Sequence, residues 1–190
     1  MGRVVDISPT HTCLLTPPHP LAFRPSPFRA PQTYRYTSAP VTYPFGYGRS
    51  YAEFSYSSLS IAPPAPRACD DITLTVTVHN LSPTGSYEVV QAYGTLLNST
   101  AHHVPRRQLL AFARVYVPGG GSAAAVLTVP PAAHAVLRGA PDMQSTVEPG
   151  AIALRVAGSS DPDAFPGSSG SGVAGRVEVV GPPAPLAQCG

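Results

Sequence analysis

The chain has no tryptophan and few charged side chains, which make up 12% of its 190 residues. It also lacks the run of about eighteen apolar residues that a membrane-spanning helix needs, so no membrane partner is predicted. The arginines are scattered and the formal net charge is only +2. Such a weak field does not support binding to nucleic acid or to an anionic membrane surface.

Cysteine is scarce as well. Cys13, Cys69 and Cys189 are odd in number and widely spaced, and no Cys-x-x-Cys pair occurs. This pattern argues against a metal or redox site, so we expect three unpaired thiols and no cofactor. The first 23 residues contain no apolar core typical of a secretory signal, which leaves the localisation open.

Proline and glycine are abundant, with 24 and 17 residues, and they predict many turns and loops. Seven prolines and the absence of a hydrophobic period predict that residues 1–32 are disordered. We assign residues 33–52 to a connector, 53–181 to a folded domain and 182–190 to a flexible tail.

Short segments of alternating apolar and polar residues dominate the folded domain. The clearest is residues 71–79, in which isoleucine, leucine and valine alternate with threonine. This period of two indicates a strand with one buried face. We predict an all-β, immunoglobulin-like antiparallel sandwich of about seven strands. The predicted strands are residues 53–61, 71–79, 87–97, 107–117, 123–129, 151–157 and 173–180.

The segment 107–117 differs because both of its faces are apolar. Leu109, Val115 and Val117 would share one face, and Leu110, Phe112 and Tyr116 the other. Two apolar faces favour either a central, doubly covered strand or an edge packed against another domain. The only helix signal is residues 132–138, which could form one or two turns.

Five segments in order resemble one known module. They are Tyr-Pro-Phe-Gly-Tyr-Gly-Arg-Ser-Tyr at 43–51, Val-His-Asn at 78–80, Glu-Val-Val-Gln-Ala-Tyr at 88–93, Pro-Arg-Arg-Gln-Leu-Leu-Ala-Phe-Ala-Arg-Val at 105–115, and the stretch from Glu-Pro-Gly at 148–150 to Gly-Ser-Ser at 158–160. Together they resemble the C-terminal fibronectin type III-like domain of family 3 glycoside hydrolases, of β-xylosidase or β-glucosidase type. The similarity covers about residues 33–180, and Arg49, Ala92, Ala111 and Ala157 depart from the family pattern.

The resemblance implies a non-catalytic accessory module. In such enzymes the catalytic carboxylates lie in two earlier domains, which a chain of 190 residues cannot also hold. The implied parent hydrolyses terminal β-xylosides or β-glucosides in cell-wall carbohydrate metabolism, and its catalytic domains are the implied partner. Family relatives are often secreted. The rival hypotheses are a stand-alone module that binds carbohydrate or protein, and a remnant without function.

The acidic residues do not suggest a catalytic pair. Retaining glycoside hydrolysis needs two carboxyl groups about 5–5.5 Å apart. The family's nucleophile motif is absent, and most of the ten acidic residues fall at expected turns or strand ends. We therefore predict no catalytic residue. The acids concerned are Asp6, Glu53, Asp70, Asp71, Glu88, Asp142, Glu148, Asp161, Asp163 and Glu178.

Three further motifs invite a functional interpretation. Gly170-x-Gly172-x-x-Gly175 matches a dinucleotide fingerprint formally, but no helix is expected after it, so we interpret it as a loop. His102 and His103 are adjacent, point to opposite sides of an extended chain and are expected to be exposed and metal-free. Asn98-Ser99-Thr100 is an N-glycosylation sequon, so Asn98 is a candidate glycosylation site.

The aromatic residues between 43 and 56 allow two interpretations. Their rings could stack on sugar, or they could pin the connector onto the sandwich and onto a neighbouring domain. Because proline, glycine and serine are interleaved with them, we favour the packed connector. The residues concerned are Tyr43, Phe45, Tyr47, Tyr51, Phe54 and Tyr56.

Overall fold

The computed structural model describes residues 33–101, 104–138, 143–161 and 172–189. The predictions made above for residues 1–32, for His102 and His103, and for the glycine motif at its Gly170 end fall outside the described residues. The acids Asp6, Asp142 and Asp163 fall outside them as well.

Strands dominate the described residues, and almost no helix occurs. The long strands begin and end within one or two residues of the predicted bounds, because each carries the alternation that a half-buried strand needs. The elements are β1 (Phe54–Ala62), β2 (Ile72–Asn80), β3 (Ser86–Leu96), β4 (Gln108–Val117), β5 (Ser122–Val129), α1 (Pro131–His134), β6 (Val136–Leu137), β7 (Ser145–Val147), β8 (Gly150–Ala157), β9 (Val173–Val179), β10 (Ala184–Pro185) and a 3-10 helix (Leu186–Gln188).

Seven of these strands form two antiparallel sheets, which confirms the predicted sandwich. One sheet has the order β1-β2-β5 and the other β4-β3-β8-β9. In β2 the alternation is complete: Ile72, Leu74, Val76 and Val78 are buried, and the threonines between them face outward. The two sheets therefore enclose one apolar core.

Both sheets contribute fully buried side chains to that core. Leu74 and Leu127 come from the three-stranded sheet, and Val90, Ile152 and Val156 from the four-stranded sheet. Burial of one such side chain stabilises the fold by about 1.5–3 kcal/mol before conformational entropy is subtracted. The inward faces of the two sheets therefore hold the sandwich together.

The two apolar faces of β4 allowed either a central or an edge strand, and β4 is an edge strand. It lies at the edge of the four-stranded sheet, next to β3. The register of β4 shifts between the partners of Ala92 and Tyr93, which leaves Leu110 as an extra residue in β4. Leu110 is therefore buried, whereas Phe112 and Tyr116, which were predicted to share its face, are exposed. A bulge changes which side chains share a face, and alternation alone cannot reveal it.

The cysteine prediction is wrong for two of the three residues. Cys69, in the β1–β2 loop, and Cys189 form a disulfide between residues 120 positions apart in the sequence. Residues 182–189 are accordingly not a free tail, since β10 pairs with β7 in a small third sheet, β10-β7-β6. Strands of two or three residues are too short to show a period, so they could not be predicted from alternation.

Candidate interaction surface

The outer face is the side of the four-stranded sheet that points away from the core. In β3 the outward residues are Tyr87, Val89, Gln91 and Tyr93, because Val90 and Ala92 between them are buried in the core. This face has two parts. The connector covers the part around Gln91 and Tyr93, and the part around Tyr87 is open.

The connector is held to the outer face mainly through Phe45 and Gly46. The Ser160 amide donates to the Phe45 carbonyl at 2.9 Å. The Gln91 amide nitrogen donates to the carbonyls of Gly46 and Gly158, at 3.0 and 2.7 Å, and its oxygen accepts from the Tyr93 hydroxyl at 2.6 Å. Gln91 therefore ties the connector to the loop after β8, and its buried amide keeps its hydrogen bonds.

Gly46 occupies a position that other residues could not take without strain. Its φ is +78°, and a Cβ atom there would lie 1.9 Å from Gln91 Oε1. A left-handed backbone and a contact this close both require glycine. The close contact with Gln91 thus explains why the motif at residues 43–51 has glycine after Phe45.

Tyr34 and Phe45 form an aromatic layer over Tyr93. The rings of Tyr34 and Phe45 stack with centroids 4.0 Å apart and planes 9° apart, and Tyr34 meets Tyr93 edge-on at 6.3 Å. The Tyr34 hydroxyl accepts from the Leu109 amide at 3.2 Å. Burial, and next the neighbouring Tyr34, raise the pKa of Tyr93 above its ordinary value, so its hydroxyl stays protonated as a donor.

Arg35 extends the attachment to the start of β4. Its carbonyl accepts from the Arg106 amide at 2.7 Å, and its guanidinium donates to the Gln108 side chain. Gln108 in turn donates to the Ala133 carbonyl in α1. The connector is therefore packed onto the sandwich through Tyr34, Arg35, Phe45 and Gly46. Packing of its aromatic residues onto a neighbouring domain stays a prediction, and Tyr43 and Tyr51 are exposed. Phe54 and Tyr56 from the same set lie in the core.

The open part of the outer face is an aromatic strip, which we define as Tyr87, Val89, Phe112, Arg114 and Tyr116. The four apolar or aromatic members are 50%, 42%, 69% and 52% exposed, in the order of their numbers. Tyr87 and Tyr116 meet edge-on at 5.2 Å, and the Arg114 guanidinium carbon lies 3.6 Å from the centre of the Tyr87 ring. Contiguous exposed apolar side chains with an arginine are typical of a protein interface.

A cleft of about 500 Å³ separates the aromatic strip from the connector. Arg49 and Tyr51 line it on the connector side, and Tyr87, Val89 and Arg114 on the strip side. Tyr51 is fully exposed. The cleft and the strip together form a continuous surface with concave and flat parts, which suits a large partner better than a small ligand.

Glu148 anchors the loop that carries the candidate glycosylation site. Its buried carboxylate accepts from the hydroxyls of Ser99 and Thr100 at 2.6 and 2.7 Å, and from Arg138 at 3.2 Å. Burial would raise the pKa of Glu148, but these hydrogen bonds outweigh it and lower the pKa below its ordinary value. Asn98 is exposed beside this anchor. Its glycosylation stays a prediction.

Other acids among the described residues make structural contacts. Tyr56 donates to buried Glu88 at 2.5 Å, and burial followed by the Glu88 charge raises the pKa of Tyr56. Asp70 accepts from the Arg67 amide, and Glu178 pairs with Arg176.

No three His, Cys, Asp or Glu side chains gather into a metal site among the described residues. None of the helices that the structure describes is long and apolar enough to cross a bilayer. The absence of catalytic residues stays a prediction.

The segments that carried the family resemblance meet in the structure. Gln91 comes from the segment at 88–93, Arg107 and Gln108 from 105–115, and Ser160 from 158–160. All of them bond to the connector or to one another. Sequence reasoning noted these segments but missed the polar network they form. The signal available was the presence of uncharged polar residues in otherwise apolar strands.

Comparison with known proteins shows similarity over part of the chain. A family model for the fibronectin type III-like domain matches residues 88–160. The chain is 42% identical over 84 residues to a probable β-glucosidase I of Aspergillus clavatus, an alignment that covers 42% of this chain and 10% of the relative.

Solved structures agree with that result. A Listeria innocua β-glucosidase in complex with laminaribiose is similar over 74% of this chain and 18% of its own, at 26% identity and a TM-score of 0.61. The Bifidobacterium adolescentis GH3 β-glucosidase is similar over 72% of this chain and 18% of its own, at 25% identity and a TM-score of 0.57. The chain thus spans a tenth to a fifth of the length of these relatives. Residues 88–160 match the fibronectin type III-like domain, and the fold is similar to part of these β-glucosidases.

Proposed function

We propose that the chain is a non-catalytic accessory module of a family 3 glycoside hydrolase that cleaves terminal β-glucosides or β-xylosides. The aromatic strip is the observation that carries the proposal. Its apolar and aromatic side chains are exposed on the outer face, although the domain has its own buried core. The relatives reported above are five to ten times longer than the part they share with this chain. The strip is the surface through which the module would contact the catalytic domains.

The composition of the strip supports contact with a protein. Tyr87, Phe112 and Tyr116 offer large rigid rings, and Arg114 already stacks on one of them. Aromatic residues and arginine dominate the energy of protein interfaces because they bury much area at a low entropy cost. Water-exposed rings on a sheet face gain the most when a neighbouring domain covers them.

The chemistry of the reaction supports a non-catalytic role. Cleavage needs one carboxylate as nucleophile and another carboxyl as acid and base, both facing a sugar pocket. Glu88 and Glu148, which are buried, are bonded to Tyr56 and to the Ser99–Thr100 loop. A carboxylate held in this way is not available to attack a sugar.

The first test is turnover by the purified full chain on aryl β-glucosides and aryl β-xylosides. We expect no hydrolysis above the buffer blank. Turnover that is abolished by Glu148→Gln or by Asp161→Asn would overturn the accessory role.

The second test is binding in trans to the Aspergillus clavatus β-glucosidase from which the matching segment has been deleted. We expect the chain to bind this enzyme, and Phe112→Ser to weaken binding at least tenfold. Val126→Ser is the matched control, because Val126 is similarly exposed, at 57%, but lies on the three-stranded sheet. Equal binding by all three chains would contradict docking through the strip.

Carbohydrate binding by a stand-alone module is the second candidate, favoured by the exposed Tyr51, which lines the cleft. Sugar rings stack on open aromatic faces, yet the Tyr87 ring is partly covered by Arg114. Affinity electrophoresis in laminarin and xylan tests this candidate. Retardation that is lost in Tyr51→Ala would favour it over the accessory role.

A further inference from the structure

The loop between β3 and β4 carries the sequon Asn98-Ser99-Thr100 close to the end of β3. Asn98 is exposed, and the backbone before it is fixed, because the Leu97 amide donates to the Ala151 carbonyl at 2.9 Å. A surface loop is the place where a bulky glycan can be attached without disturbing a packed core. Asn98 therefore meets the steric requirement for N-glycosylation.

A second sequon, at residues 80–82, does not meet this requirement. Asn80 is 2% exposed, and its side-chain nitrogen donates to the carbonyls of Thr84 and Val117 at 2.9 and 3.2 Å. A glycan on this nitrogen would break both hydrogen bonds and leave buried carbonyl groups without a donor. The fold thus accommodates a glycan at Asn98 and excludes one at Asn80.

The disulfide supplies an independent argument about the compartment. Bonds such as the one between Cys69 and Cys189 form and persist in oxidising compartments and are rare in the cytosol. Sequons are used in secreted proteins, which pass through such a compartment. The covalent link and the exposed acceptor asparagine therefore point to the same route for this chain.

The folded loop holds the hydroxyl group of its own sequon. Recognition of a sequon requires a hydroxyl at the third position, since only serine and threonine serve there. The Thr100 hydroxyl donates to Glu148 at 2.7 Å, and the Thr100 amide donates to the same carboxylate at 3.1 Å. Glu148 is 6% exposed and also accepts from Ser99 and Arg138. Once the loop has formed, this carboxylate competes with a transferase for the hydroxyl.

From these contacts we propose that Asn98 carries an N-linked glycan, which is attached before the loop closes on Glu148. In the transfer, the Asn98 amide nitrogen forms a bond to the anomeric carbon of an oligosaccharide, and one amide proton passes to solvent. The bond between that carbon and a lipid pyrophosphate donor breaks, and the pyrophosphate leaves with the electron pair. The closed loop then holds the glycan in a fixed place.

The glycan projects from the end of the sandwich opposite the aromatic strip. Strand β3 begins beside Tyr87 and Val89, which belong to the strip, and ends at Leu96, close to Asn98. A strand extends about 3.3 Å per residue, so Asn98 lies roughly 25 Å from Val89. A glycan at this distance leaves the strip open, and its attachment does not depend on the accessory role.

Secretion of the full chain from yeast behind a cleavable leader tests the attachment, with cells and medium both analysed. We expect one glycan, which peptide N-glycosidase removes, and mass spectrometry should locate it at Asn98. Asn98→Gln and Thr100→Ala should lack the glycan. Thr100→Ser is the matched control and should keep it, because serine retains the hydroxyl. An unmodified wild-type chain, or a glycan that persists in Asn98→Gln, would overturn the proposal.

Transfer to the purified chain in vitro tests the order of events. With an oligosaccharyltransferase and a lipid pyrophosphate-linked oligosaccharide, the reduced, unfolded chain should be modified about tenfold faster than the folded chain, since the folded loop must first give up a charge-assisted hydrogen bond. Glu148→Ala frees the Thr100 hydroxyl and should raise the rate on the folded chain. Glu53→Ala, at an exposed acid before β1, should not. Equal rates on the folded and unfolded wild-type chains would contradict attachment before closure.

Discussion

The two sheets of the sandwich have similar inward faces and very different outward faces. Inward, both present leucine, isoleucine and valine to one core. Outward, the three-stranded sheet shows mainly serine and threonine from β1 and β2, whereas the four-stranded sheet shows tyrosine, phenylalanine and arginine. Small polar residues make a face that water covers well, and aromatic residues make one that another surface covers better.

The difference places the core and the proposed contact surface on opposite sides of the same strands. In β3, Val90 and Ala92 are buried in the core, while Gln91 and Tyr93 hold the connector and Tyr87 remains open. Substitutions at alternate positions of one strand should therefore have separable effects.

The largest effect is expected for the inward faces. Leu74→Ala in the three-stranded sheet and Leu154→Ala in the four-stranded sheet should each lower the free energy of unfolding by about 2–5 kcal/mol. Chemical denaturation measures it. The control Thr75→Ala, at an outward position of β2, should change stability by less than about 0.5 kcal/mol. A small loss at only one leucine would mean that the two sheets do not share one core.

The free energy of unfolding should also depend on pH, because a histidine is buried in the domain. His134, in α1, is buried, and burial lowers the pKa of its ring from 6.5 to about 4. Because the unfolded chain takes up this proton more readily, stability is full above pH 6.5 and falls by about 3 kcal/mol as the pH drops through 4. Glu148 adds to the loss at acid pH, since its lowered pKa favours the ionised folded state.

His134→Leu should flatten the loss of stability between pH 6.5 and 4, as measured by thermal melting. The control is His79→Gln, because His79 lies on the outward face of β2 and bonds to Ser57 at 2.7 Å. An unchanged acid slope in His134→Leu would contradict the assignment of the slope to this buried ring.

The next largest effect on stability is expected where the connector contacts Gln91. Gly46→Ala should destabilise the chain by about 3 kcal/mol, because it adds both a positive-φ penalty and a clash with Gln91. Gly120→Ala is the matched control: Gly120 has a φ of +64° but open space around it, so only the backbone penalty of about 1–2 kcal/mol applies. Equal losses would show that Gly46 is not pressed against Gln91.

The smallest effect on stability is expected on the aromatic strip. Phe112→Ser should change the melting temperature of the isolated chain little, because the side chain is 69% exposed. It should nevertheless reduce self-association at high concentration, as measured by sedimentation, whereas Val126→Ser should not. A large drop in melting temperature would place Phe112 in the fold instead of on the contact surface.

Alternation in the sequence was enough to find the sandwich and its seven long strands. It failed where pairing shifts, as at Leu110, which a bulge turns into the core. It also failed for contacts between distant residues, such as the bond of Gln91 to Gly46, since spacing carries no information about them. The disulfide was missed for the same reason: 120 positions separate its cysteines, and an odd count suggested no pairing.

The bond between Cys69 and Cys189 makes most of the domain a covalent ring. Every strand from β2 to β10 lies between these residues, and only β1 of the long strands lies outside. One backbone cleavage within the ring therefore releases no fragment, and the two pieces separate on a gel only after reduction. Closing a loop of this size also removes roughly 4–5 kcal/mol of entropy from the unfolded chain. A nicked molecule would thus keep its strands in reach of one another and could refold as one particle.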